Sequence, residues 1–259
     1  MKIQRSLSLL LLVSQLAWLG CATVPITGRR QLNLLSASQE TQLGFNSFQQ
    51  TKSSVPISRD PALNDMVQRV GKRIAAVAEL PGAQWEFVVF ESKDANAFCL
   101  PGGKVGIYTG ILPITKDEGG LATVIGHEVA HAVARHGAER VSEGMMLQTG
   151  GQLLGVAMTS ANPQVQALTT AAYGLGAQVG RTLPHSRAQE SEADQIGLRY
   201  MARAGYDPAA AIGFWQRFAA HNAGQGGGTP WFLRTHPLDE KRIQQIREWL
   251  PAAQAEWKR

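Results

Sequence analysis

The sequence predicts an α+β fold, mainly helical, with a small β-sheet beside one long buried helix. Three patterns predict it. From Leu121, the apolar residues Val124, Ile125, Val129, Ala132 and Val133 recur at helical spacing as far as about Arg140. Trp85 to Glu91 is rich in Val, Phe and Trp, and Lys104 to Gly110 alternates through Val105, Ile107 and Thr109, so both read as strands. Capping and stop signals then mark further helices on both sides of this block.

Residues 1–20 read as a signal peptide: Lys2 and Arg5 precede an apolar run from Leu7 to Leu19 that stops at Gly20-Cys21. The run falls short of the roughly 20 apolar residues a bilayer crossing needs, and Ser14 and Gln15 interrupt it. A cysteine directly after Gly20 resembles the lipobox of bacterial lipoproteins, which implies an acylated Cys21 as first residue of the mature chain. The bland alternative is ordinary secretion, with Cys21 a bystander. Residues 21–35, with Pro25 and Gly28, then form a lipidated tether, and 36–259 the folded domain.

The first helix is expected near Ser36, where Ser36 and Gln39 fit a capping box, and a second from about Pro61 to Leu80. Pro101-Gly102-Gly103 supplies the turn before Lys104, and Thr115 with Glu118 suggests another capping box ahead of the long helix. Gly144 to Gly180, rich in Gly, Ala and Thr, reads as a helical hairpin or a membrane-grazing lid, its apolar runs such as Leu153 to Met158 being too short to span. A helix from about Ser186 to Ala204 ends at Gly205, and Asp207-Pro208 starts the next as cap and first turn. After a flexible break at Gly224 to Gly228, a last helix begins at Pro237 and buries Leu238, Ile243, Ile246 and Leu250.

A hydrophobic content of 44% allows a sizeable core. Beyond Cys21 only Cys99 remains, so the mature chain forms no internal disulfide. The net charge of +5 falls by two when Lys2 and Arg5 leave, and no basic cluster is interleaved with aromatics, which argues against nucleic acid as a partner. Thirty-four-residue helical repeats are not expected after the buried helix.

The chemistry centres on HEVAH, His127 to His131, inside the strongest helical pattern. Residues four apart on a helix point the same way, so both imidazoles can reach one Zn²⁺, and Glu128 can take a proton from a water there. The bland alternative is a helix with two solvated or core-satisfied histidines. The pattern with Gly seven and His ten residues after the first His is excluded, because Ala134 and Gly137 stand there. On a continuous helix His136 lies about 180° from His127 and points away, as a packing or capping residue. On the later helix Glu190 and Asp194 share a face, which suits Glu190 as ligand with Asp194 behind it, while Glu192 faces elsewhere. An acidic, solvated first turn is the alternative.

These motifs together resemble the gluzincin peptidases that include the CAAX prenyl endopeptidase and the heat-shock protease HtpX, and specifically their periplasmic lipoprotein branch. The resemblance rests on PITGRRQLNLLS from Pro25, NAFCLPGGKVGIYTG from Asn96, GHEVAHAVARHGAER from Gly126, ESEADQIG from Glu190 and THP from Thr235. It implies a zincin-like domain holding one Zn²⁺ per chain through His127, His131 and Glu190, with Glu128 as general base and acid and Asp194 supporting the ligands. It also implies that the strand Lys104 to Gly110 lines the cleft, where an extended substrate adds to a sheet edge.

His236, before Pro237, is a further catalytic candidate: zinc ligand, oxyanion stabiliser or structural cap. Cys99 reads as a small buried residue, and His185 and His221 as ordinary histidines. The expectation is a zinc endopeptidase for protein or peptide substrates of the envelope, in quality control of misassembled outer-membrane proteins, located as an outer-membrane lipoprotein facing the periplasm. The rival is a noncatalytic or latent chaperone that binds in the same cleft. An intramembrane enzyme acting on lipid-modified peptides ranks last, since the chain offers no further spans.

Overall fold

The computed structural model describes residues 21–159, 162–177, 183–224, 232, 236 and 240–257. The chain opens with a two-stranded hairpin, β1 (Cys21–Thr23) and β2 (Arg30–Leu32), followed by α1 (Ala37–Ser54) and α2 (Pro61–Ala75). A three-stranded sheet comprises β3 (Glu86–Phe90), β4 (Ala97–Leu100) and β5 (Lys104–Tyr108). A 3₁₀ turn and the short α3 (Leu112–Thr115) lead into α4 (Glu118–Val133), α5 (His136–Ala157), α6 (Pro163–Ala177), α7 (Leu183–Arg203), α8 (Ala210–Gly224) and α9 (Glu240–Ala255). The mainly helical α+β architecture with a small sheet is as expected. The signal segment 1–20, the stretch beyond Gly224 expected to be flexible, and Pro237 and Leu238 lie outside the described residues.

At the starts of α1, α2, α4 and α8 a side chain caps the first turn, in three of them where the sequence signals place it. Ser36 and Gln39 form the capping box, Asp60 caps α2 through Ala62 N–H at 2.8 Å, and Asp207 accepts from Ala209 N–H at 2.9 Å ahead of α8. At α4 the cap is Asp117, which accepts from Gly120 N–H at 2.9 Å. The expected Thr115–Glu118 box does not form, because Thr115 ends α3 and its hydroxyl donates to the Leu112 carbonyl at 2.9 Å. α2 stops at Ala75, short of Leu80, and α7 closes at Gly205 in the left-handed region, φ 81°.

α4 is the centre of the molecule. Leu121, Ile125 and Val129 are fully buried, each burial contributing about 1.5–3 kcal/mol, and α2, β4, α7 and α8 all pack on this helix. α4 and α7 cross closely at Gly126 and Gly197, where a Cβ on Gly197 would come within 3.0 Å of the His127 backbone nitrogen. Glu190, Asp194 and Gly197 fall at i, i+4 and i+7, so this close crossing turns both carboxylates toward His127.

The sheet order is β3-β5-β4, with β5 parallel to β3 and antiparallel to β4. The tight turn from β4 uses Gly102 and Gly103 at φ 85° and 82°, a pair of left-handed residues that only glycine adopts without strain. The expectation that Lys104 to Gly110 lines the cleft is therefore corrected: β5 is paired on both sides, and β4 carries the edge that faces α4. α5 and α6 form the expected helical hairpin, uncharged from Gly144 to Ala177. Among the described residues, no helix is long and apolar enough to cross a membrane.

Candidate metal centre

Four buried side chains meet where α4, α7 and the chain before α9 converge: His127, His131, Glu190 and His236 each offer one donor atom, all within 4.8 Å of one another. His127 Nε2 lies 3.1 Å from His131 Nε2, 3.2 Å from His236 Nδ1 and 3.3 Å from Glu190 Oε2. Glu190 also lies 3.2 Å from His131 Nε2 and 2.9 Å from His236 Nδ1. Donors placed about 2.0–2.1 Å from a tetrahedral Zn²⁺ stand roughly 3.3 Å apart. The donor set, three imidazoles and one carboxylate, and its spacing fit that ion.

Four-residue spacing brings His127 and His131 together on α4, the crossing with α7 adds Glu190, and Asp194 stands behind His127, its Oδ1 2.9 Å from Nδ1. Arg242 in α9 holds Asp194 through both oxygens, Nε to Oδ2 at 2.6 Å and Nη2 to Oδ1 at 2.8 Å. Its guanidinium also stacks 3.5 Å from the Trp215 ring centroid. Burial would raise the Asp194 carboxyl, but the Arg242 charge and the His127 hydrogen bond hold it below its usual range. Burial lowers both imidazoles on α4. At His127 the Asp194 and Glu190 carboxylates outweigh burial and hold the pKa up to about 9, whereas His131 stays well below the usual range. A cation and a proton therefore compete for His127.

Glu128 is buried beside these donors, and burial pushes its carboxyl up, partly offset by His236 and His127. Its Oε1 makes no hydrogen bond, with His236 Nε2 at 3.4 Å. The cleft that it lines has a volume of about 470 Å³, with β4 residues from Ala97 to Leu100 along one wall and His131, Arg135 and His236 opposite. Cys99 is buried in that wall, and burial pushes its thiol well above the usual range, as suits a packing residue.

The reading of His136 from a continuous helix needs correction. α4 ends at Val133 and Arg135 adopts the left-handed conformation, φ 56°, so His136 begins a new helix and turns back. Its Nδ1 sits 2.8 Å from His131 Nδ1, and its Nε2 2.9 Å from Glu192 Oε2. Glu192 does face away from the four donors, as expected, but toward His136. Sequence reasoning missed Arg242, Glu192 and His136 as neighbours of the centre. His221 is half-buried in α8 beside Phe218, Cys21 pairs with Leu32 in the first hairpin, and the His185 side chain lies outside the described residues.

With this geometry established, the sequence matches the profile of Peptidase family M48 over residues 61–250. The chain belongs to peptidase family M48. It is 39% identical over 241 residues to the mitochondrial metalloendopeptidase OMA1 of Schizosaccharomyces pombe, covering 89% of this chain and 67% of that protein. With the β-barrel assembly-enhancing protease of Yersinia pestis the identity is 31% over 216 residues, 82% of this chain and 44% of the relative. The same-named Escherichia coli protein is 28% identical over 228 residues, 87% and 46%. The chain thus spans about half the length of these bacterial relatives.

Membership of this family makes the chain a metalloendopeptidase, and the expected outer-membrane lipoprotein location facing the periplasm is corrected. Relatives at higher identity, from fission yeast and, at 33%, from Saccharomyces cerevisiae, are named mitochondrial.

Proposed function

We propose that this M48 chain is a zinc-dependent endopeptidase that holds one Zn²⁺ through His127, His131 and Glu190, with Glu128 as general base and acid. The juxtaposition of four converging donors with a buried Glu128 carboxylate facing the same cleft carries this reading. A bound zinc ion supplies Lewis acidity to the scissile carbonyl and a lowered pKa to water. Glu128 takes the proton from the attacking water and returns it to the leaving amine; its raised pKa suits both roles. The outer edge of β4 receives the substrate as an added strand through main-chain hydrogen bonds, which gives broad sequence tolerance.

His236 is the fourth donor, and its position supports a closed resting state. A site closed by four protein ligands leaves no room for substrate, so His236 has to move before the cleft opens. This favours a latent protease over a noncatalytic chaperone, because Glu128 is in place beside the donors. Relatives named β-barrel assembly-enhancing protease support misassembled membrane proteins as substrates.

The test is cleavage of casein by the purified chain before and after chelation, with zinc added back. Activity lost on chelation and restored by zinc supports the reading. Cleavage unaffected by chelation overturns it.

A further inference from the structure

Glu139 and Glu192 are buried carboxylates outside the metal centre, and one arginine from the N-terminal hairpin joins them. Arg29 binds Glu139 with both terminal nitrogens, Nη1 to Oε1 and Nη2 to Oε2 at 2.8 Å each, and donates Nε–H to Glu192 Oε2 at 2.8 Å. Thr27 Oγ1 also donates to Glu192. The hairpin is firmly seated: Val24 is part of the core and the Gln31 amide caps the Ala134 carbonyl at 2.8 Å, beside the left-handed Arg135. None of residues 21–32 belongs to the stretch that matches the family profile.

The contacts of Glu192 continue inward to the metal donors. Its Oε2 faces His136 Nε2 at 2.9 Å, and His136 Nδ1 faces His131 Nδ1 at 2.8 Å. For His131 Nε2 to face a cation, His131 Nδ1 must carry the proton and donate it to His136 Nδ1, which leaves His136 Nε2–H to donate to Glu192. Every proton in the chain then has one place. A ligand histidine is oriented by the acceptor on its other nitrogen, commonly a carboxylate. At His131 that acceptor is an imidazole, one residue removed from its carboxylate, so its direction depends on how firmly Glu192 is held. The neutral His136 brings no charge to Glu139 or Glu192, and the Arg29 guanidinium supplies it.

We propose that Arg29 is a positioning residue for the metal centre, acting through Glu192 and His136 to fix the orientation and proton of His131, so that the N-terminal hairpin is a working part of the site. This rests on the reading of the four donors as a zinc centre. Loss of such outer partners costs roughly 10–100-fold in metal affinity.

The test measures the zinc dissociation constant of the purified chain by competition with a chromophoric chelator, alongside its melting temperature and casein cleavage. Arg29→Ala and His136→Ala are each expected to weaken zinc binding about 10–100-fold, and the double variant no more than the stronger single one. Arg29→Lys, which restores charge without the fork, should recover part of the loss. Ile74→Ala, which cuts a core side chain of α2 outside the hairpin and the relay, should lower the melting temperature and leave zinc affinity unchanged. Unchanged zinc affinity in Arg29→Ala, or losses that add in the double variant, overturns the proposal while leaving the protease reading intact. If wild type and His236→Ala both bind zinc and neither cleaves casein, the protease reading falls and the relay stands; a wild-type chain that binds no zinc overturns both.

Discussion

Asp194 and Arg242 meet in a bidentate pair, 2.6 and 2.8 Å, buried directly behind His127. The pair brings α9 against α7 at the metal donors, so the C-terminal helix is tied to the site by charge as well as by Ile246 in the core.

Arg242→Ala removes the charged partner and leaves buried Asp194 with the His127 contact at 2.9 Å in place of a bidentate pair. The expected loss is about 3–5 kcal/mol of stability, read from the shift in urea midpoint, and Arg242→Lys should recover only part of it because an ammonium cannot match the fork.

His236→Ala opens the fourth position while three donors remain. A closed state favoured by as little as about 1.4 kcal/mol holds back roughly nine molecules in ten, so casein turnover should rise about tenfold with zinc retained. Lower turnover at unchanged zinc content would instead make His236 an oxyanion stabiliser.

Acid stability should report Glu192. Burial would raise its carboxyl from the ordinary 4.5, but hydrogen bonds from His136, Thr27 and Arg29 outweigh burial and hold it at about 2. A carboxylate depressed on folding contributes stability above its unfolded value and loses it as pH falls toward the folded one. Acid unfolding is therefore expected between about pH 4.5 and 2, and Arg29→Ala should move its midpoint to higher pH, followed by circular dichroism.

Cys99 should resist alkylation. Its thiolate is disfavoured by burial, so iodoacetamide at pH 8 should label the folded chain far more slowly than the chain in urea, read by mass. Equal rates would place the thiol in solvent.

Much of the centre was legible in the sequence because helix geometry makes spacing into direction. His127 with His131, and Glu190 with Asp194, share faces at four-residue spacing, and each pair lies within a single helix. The same rule failed for His136, since it assumes a continuous helix and α4 breaks at the left-handed Arg135, a non-glycine residue that carries no stop signal. Arg242 and Arg29 were out of reach for another reason: each meets the site through packing between segments more than a hundred or forty residues away, and no local pattern encodes that contact. The strand order was likewise hidden, because alternation marks Lys104 to Gly110 as a strand without saying that it lies between two others.

The central claim is that Glu128 is the proton carrier of a zinc endopeptidase, and Glu128→Gln tests it most directly, with zinc content, melting temperature and casein cleavage measured on the same preparation. The expected result is about one zinc per chain and an unchanged melting temperature, with cleavage reduced by roughly 10²–10⁴-fold. Wild-type cleavage by a zinc-loaded Glu128→Gln chain would contradict the account.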